Sequence, residues 1–148
     1  MSIQLKFDED FSEGIKRLIQ EECYYCLEEL NEGQPEDPHK AVHEVRKSCK
    51  KIRAALRLIR DEIGFYKEYN VFFRDIGRSI SDIRDVQSNL EILDEIYNEY
   101  ESHLYKNSFT PVKEALLEKR KALEKKTFEE EQILEAIKEQ IQNKIREI

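Results

Sequence analysis

The sequence predicts an all-α protein, an antiparallel up-and-down helical bundle with about four long helices. Three observations carry that expectation. Apolar residues recur every three or four positions through most of the chain, the period of one helical face. Charged and hydrophobic residues each make up 39%, the balance of long amphipathic helices. Only 4 Gly and 3 Pro are present, with no Trp, far fewer turn residues than a sandwich or barrel needs. At 148 residues the chain has the size of one domain, so residues 1–148 are expected to form a single bundle. No apolar run nears the ~20 residues that cross a bilayer, and Met1 to Asp10 lacks the regions of a secretory signal. A soluble, cytoplasmic chain with no membrane partner is expected. An odd cysteine count, 3, gives no disulfide framework and suits a reducing compartment.

The first apolar series, Phe11, Ile15, Leu18, Ile19, Tyr25, Cys26 and Leu30, predicts a helix over about residues 9 to 31. Gly33, Pro35 and Pro38 stop it and leave a short connector. Asp37 before Pro38 starts the second helix, the carboxylate accepting a first-turn amide and the proline sitting where no donor is needed. Its seam is Val42, Val45, Cys49, Ile52, Leu56, Ile59 and Ile63, spaced alternately three and four, and an end near Gly64 is expected. A third helix is predicted over about residues 67 to 97, with Phe72, Phe73, Ile76, Ile80, Ile83, Leu90, Leu93 and Ile96 as its apolar series. Gly77 weakens it without ending it. The pattern lapses around Ser102 to Ser108, and Thr110-Pro111 reads as a cap and first turn. Helix four follows, from Val112, Leu116 and Leu123 to Ile133, Ile137, Ile141, Ile145 and Ile148. Thr127 and Glu130 have capping-box spacing, so one long helix and two shorter ones stay open. The last series reaches the final residue, as though the chain stopped within a helical pattern; a fragment or a partner is expected.

The net charge of -7 hides a local excess of the other sign. From His39 to Arg60 stand eight bases (Lys40, Arg46, Lys47, Lys50, Lys51, Arg53, Arg57, Arg60) against Glu44 alone, +7, which leaves -14 for the rest. Six side chains, His43, Arg46, Lys50, Arg53, Arg57 and Arg60, repeat the apolar spacing one residue out of step. They are therefore expected as a stripe ~100° around the second helix from its seam, roughly 25 Å long. Bases on an exposed helix are ordinarily matched by acids three or four positions away; here Glu44 is the only candidate. Arg74, Arg78 and Arg84 on the third helix could add a second row, among Asp75, Asp82 and Asp85. Several guanidinium groups along one groove bind phosphate oxygens through paired hydrogen bonds.

The stretch Asp37-Pro38-His39-Lys40-Ala41-Val42-His43-Glu44-Val45-Arg46-Lys47, continuing through Lys50-Lys51-Ile52-Arg53-Ala54-Ala55-Leu56-Arg57-Leu58, resembles the CHAD domain, the conserved-histidine α-helical domain. Phe73-Arg74-Asp75-Ile76 and Ile83-Arg84-Asp85-Val86 resemble its second motif, and the likeness covers about residues 25 to 95. The resemblance implies a helical domain that binds inorganic polyphosphate on a basic surface. On matched positions it points to His43, Arg46, Lys50, Arg53 and Arg57, with Arg74, Arg78 and Arg84 beside them and Lys47 and Lys51 as auxiliaries. CHAD domains commonly contain two similar halves, so this chain is expected to be the N-terminal half only, completed by a homodimer or by a missing second half. After Arg84-Asp85 the chain reads Val86-Gln87-Ser88-Asn89, where the family tends to place another acid and apolar residues. The CYTH-type triphosphate-hydrolysing domain is not expected either.

Other constellations carry less. His39 and His43 lie four apart, but His103 is the only further histidine and no HExxH motif follows, so no metal site is expected. Cys23 and Cys26, and Cys49 on the seam, read as core. There is no glycine-rich phosphate loop and no nucleophile with a base, so neither an enzyme nor a cofactor is expected. Inorganic polyphosphate is the expected partner, with a cytoplasmic location at polyphosphate granules. A nucleic-acid binder is the nearest alternative, disfavoured because the stripe holds no aromatic side chain for base stacking; a purely protein-interaction bundle is the third.

Overall fold

The computed structural model describes residues 4–33 and 36–148. Six α-helices follow one another: α1 (Phe11–Glu28), α2 (Pro38–Leu58), α3 (Tyr66–Ser79), α4 (Ser81–Tyr100), α5 (Thr110–Glu124) and α6 (Ile133–Ile145). A π-helical stretch, Glu29–Gly33, prolongs α1, and a second, Lys125–Glu130, follows α5. The fold is all-α, with no strand among the described residues. The chain divides into two compact units. One holds the residues through Ser79 together with Leu134–Ile148; the other is Ile80–Ile133.

In the first unit, Asp10 caps α1 by accepting from the amides of Ser12 and Glu13. Asp37 caps α2 through the Lys40 amide, with Pro38 in the first turn, as the sequence predicts. Side-chain contacts give the register of the first pair: Tyr25 meets Glu44, while Glu22 meets Ser48 and Lys51. Falling numbers on α1 match rising numbers on α2, so the two run antiparallel. The seam positions Val42, Val45, Cys49, Ile52 and Leu56 are all buried, as are Phe73 and Ile76 of α3 and Ile137 and Ile141 of α6. Lys144 fastens α6 to α3: its ammonium lies 4.9 Å from the Tyr69 ring centroid and 5.0 Å from that of Phe72, and it bonds Glu68 at 3.0 Å.

Two helix boundaries differ from expectation, and a third, left open by the sequence, is settled. α2 ends at Leu58 rather than near Gly64. Ile59 leaves helical geometry at φ -114, ψ 15, and the tight turn that follows keeps both Ile59 and Ile63 buried. The expected third helix is two helices, divided at Ile80 with φ -116 and ψ 14. Ser79 donates from its hydroxyl to the Ile76 carbonyl at 2.7 Å, a local bond of the kind that competes with continued helix. For the fourth, where one helix and two were both open, the structure has two. The backbone unwinds to a π-helix after Glu124, and Gln132 then takes a positive φ of 45. Thr127 is buried within that stretch, and α6 begins only at Ile133.

The second unit is built on the α4–α5 hairpin. Tyr97 meets Phe109 edge to face at 6.2 Å, Asp94 takes the Lys113 ammonium at 3.0 Å, and Gln87 takes Arg120 at 3.1 Å. The register is again antiparallel. Among the described residues no helix is long and apolar enough to cross a membrane.

Gln132 occupies a left-handed backbone conformation that costs a residue with a Cβ ~1–2 kcal/mol. Gln132→Gly is expected to raise stability by about 1 kcal/mol, read as a higher urea midpoint at unchanged slope.

A cationic face on the second helix

Burial of the α2 seam fixes where every other side chain of that helix points. At ~100° per residue, His43, Lys50 and Arg57 each follow a seam residue by one position, and so stand ~100° from it. Arg46 and Arg53 follow Val42 and Cys49 by four positions, only ~40° away. The expected stripe is therefore two rails. Arg46 and Arg53 form the inner one, half-buried; His43, Lys50 and Arg57 form the outer one, exposed. Both inner arginines lie close enough to Cys49 for their charge to act on its thiol.

The inner rail faces α3. Arg53 donates from Nε to Asn70 Oδ1 at 3.0 Å. The short turn after Ile59, taken with this contact, sets α2 and α3 antiparallel. One turn further along α3 stands Arg74, held by Asp75 at 2.9 Å, and one turn beyond that is Arg78, exposed. An added Cβ at Gly77 would meet nothing within 4 Å. The α3 side of α2 thus carries Arg53 with Asn70, and Arg74 and Arg78 follow along α3.

Carboxylates are scarce on it. Among the described residues Lys50, Arg53 and Arg57 have no carboxylate within 4 Å, whereas Lys16, Arg17, Lys113, Arg120 and Lys138 all do. Glu44, the one acid within the basic segment, sits on the opposite flank. It accepts the Tyr25 hydroxyl at 2.9 Å and the Lys47 ammonium at 3.4 Å, with His43 at 3.9 Å. Burial raises the pKa of that carboxyl, but the Tyr25 hydroxyl and the Lys47 charge outweigh it and hold Glu44 below the usual carboxylate range.

A family model for the CHAD domain matches residues 21–146. The chain belongs to the CHAD domain family. CHAD domains are known for binding polyphosphate and are generally noncatalytic. Neither a curated protein nor a solved structure matches the chain. The match runs from within α1 through the end of α6, which corrects the expectation that the likeness stops near residue 95 and represents an N-terminal half only.

Within this CHAD domain the other candidate bases lie apart from the rails. Lys47 is exposed beside Glu44. Lys51 turns toward α1, where Glu22, buried, accepts its ammonium at 2.8 Å and the Ser48 hydroxyl at 2.7 Å. Arg60 falls beyond the helix end and so out of its register, next to Asp61 at 3.6 Å. Arg84 belongs to the second unit and is gripped by both carboxylate oxygens of Glu91 at 3.3 Å. The three cysteines are buried. Burial pushes the Cys26 thiol up to about 12 and those of Cys23 and Cys49 well above the ordinary range; protonated thiols of this kind pack rather than react.

Sequence reasoning missed Asn70 and the Glu22–Ser48–Lys51 cluster. A lone asparagine on a helix has no distinguishing pattern. Glu22 on an apolar face opposite Ser48 is visible only once the α1–α2 register is known.

Removing one partner of a buried ion pair strands the other charge. Lys51→Met is expected to destabilise the chain by about 2–3 kcal/mol in urea unfolding, and Lys47→Met, at the surface, by less than about 0.5 kcal/mol.

Proposed function

We propose that this chain is a noncatalytic binder of inorganic polyphosphate, which lies along the two cationic rails of α2. The observation that carries this reading is the contrast between flanks. The α1 flank of α2 spends its bases on Glu22 and Glu44, while Lys50, Arg53 and Arg57 have no carboxylate within reach among the described residues. Like charges repel along one helix face, and an elongated polyanion relieves that repulsion at each turn by releasing its counterions. From His43 to Arg57 the rails extend about 21 Å at 1.5 Å per residue. Arg46 and Arg53 would fork phosphate oxygens from a restricted position beside the core; Lys50 and Arg57 would follow the polymer from outside. Arg78 would border the rails from α3, next to Arg74, whose charge Asp75 offsets. Family membership supports the same ligand class, since CHAD domains are known for it.

The two outer cations are the first test. Lys50→Glu with Arg57→Glu is expected to lower the affinity for long-chain polyphosphate at least tenfold, about 1.4 kcal/mol, with the helical circular dichroism retained. Lys16→Glu with Lys113→Glu makes the same change of charge elsewhere and is expected to cost less than about threefold. Equal losses for the two pairs would reduce the reading to bulk charge. Single-stranded DNA outcompeting polyphosphate at matched phosphate across a salt series would replace it with nucleic-acid binding.

A further inference from the structure

Two kinds of fastening are found among the described arginines. Arg17 is held by Glu9 at 2.6 Å and Glu21 at 2.7 Å, Arg74 by Asp75, Arg84 by Glu91 and Arg120 by Glu124. In each case the partner that fixes the guanidinium also cancels its charge. Arg53 is held at Nε by the neutral side-chain amide of Asn70. Both groups are half-buried, so the bond is shielded from water and restricts the direction of the guanidinium. Nε is a single donor of the guanidinium; the Nη1 and Nη2 donors, which make end-on forks to phosphate, are left for another acceptor.

We propose that Asn70 is a positioning residue of the anion site: its amide orients Arg53 while leaving the guanidinium its full charge for phosphate. This rests on the polyphosphate reading above and adds a residue that touches no ligand. The chemistry explains why an amide stands there. An aspartate at 70 would reach Arg53 equally well and form a stronger, charge-assisted bond. It would also neutralise the inner rail at its middle. An alanine would leave the charge and lose the direction.

Three variants separate these effects, with inorganic polyphosphate of defined length as the probe, titration calorimetry over a salt series as the readout, and urea unfolding to follow stability. Asn70→Asp is expected to keep or raise stability, to weaken binding about tenfold, and to reduce the slope of log affinity against log salt by about one, because one cation is withdrawn from the site. Asn98→Asp, the same substitution at an exposed position of the second unit, controls for net charge and is expected to leave the slope unchanged. Asn70→Ala is expected to weaken binding about threefold with no change of slope, and to have no effect in an Arg53→Gln background, since it acts through that arginine. An unchanged slope in Asn70→Asp, or an Asn70→Ala loss that persists without Arg53, overturns the proposal while polyphosphate binding stands. Absence of polyphosphate binding by the unmodified chain overturns both.

Discussion

The one-residue offset between the apolar seam of α2 and its cations governs the rest of the molecule's chemistry. Val42, Val45, Cys49, Ile52 and Leu56 must face the core because burying such side chains is the main favourable term in folding, ~1.5–3 kcal/mol for each large one. Once they do, the rotation of the helix is set, and no freedom remains in where the bases point. A position with seam residues both one and four places before it, as Arg46 and Arg53 have, lies at the edge of the core; one with only its immediate predecessor on the seam, as His43, Lys50 and Arg57 have, faces water. A single repeat of threes and fours thus builds a buried face, a restrained pair of guanidinium groups and a mobile outer set.

The same rotation sorts the acids. Glu44, Ser48 and Lys51 fall on the flank toward α1, where Glu22 and Tyr25 receive them. Arg46 and Arg53 fall on the flank toward α3, whose facing residue at the level of Arg53 is an amide. Helix α2 therefore has one flank that is electrostatically closed and structural, and one on which Arg53 is met by a neutral amide. The acidic sum of the chain is compatible with a cationic site because the acids are spent elsewhere: on Arg17 and Lys51 in the first unit, on Arg84, Lys113 and Arg120 in the second.

Much of this was legible in the sequence, and the failures share a cause. The α2 start at Asp37-Pro38, its seam and the all-α class follow from local chemistry, which needs no knowledge of neighbours. The break at Ile80 does not. Ile80 continues an apolar period faultlessly and is fully buried, yet the helix divides there, with a serine on each side. Periodicity reports which side chains are buried; it cannot report that the backbone leaves helical geometry between two of them. Arg60 shows the same limit, continuing the spacing of the row past the point where the backbone leaves the helix at Ile59. Lys51 and Arg53 are two residues apart and equally basic in composition, but Glu22 and Asn70 come from different helices, and only the packing of three helices gives one a carboxylate and the other an amide.

That difference bears on how a folded chain can keep charge at its surface without losing order. An arginine held by a carboxylate is ordered and neutralised; a lysine in open solvent is charged and disordered. A site for a polymeric anion gains from charge that is ordered before the ligand arrives, since each side chain immobilised on binding costs ~0.5–1.5 kcal/mol. The inner rail meets that need at Arg53, where the core edge restricts the aliphatic stem and the Asn70 oxygen occupies Nε. The outer rail does not meet it, and Lys50 and Arg57 would pay the ordering cost on each encounter. On the proposed reading preorganisation would increase toward the core, because a position such as 53, with seam residues one and four places before it, is supported by packing and still reached from water.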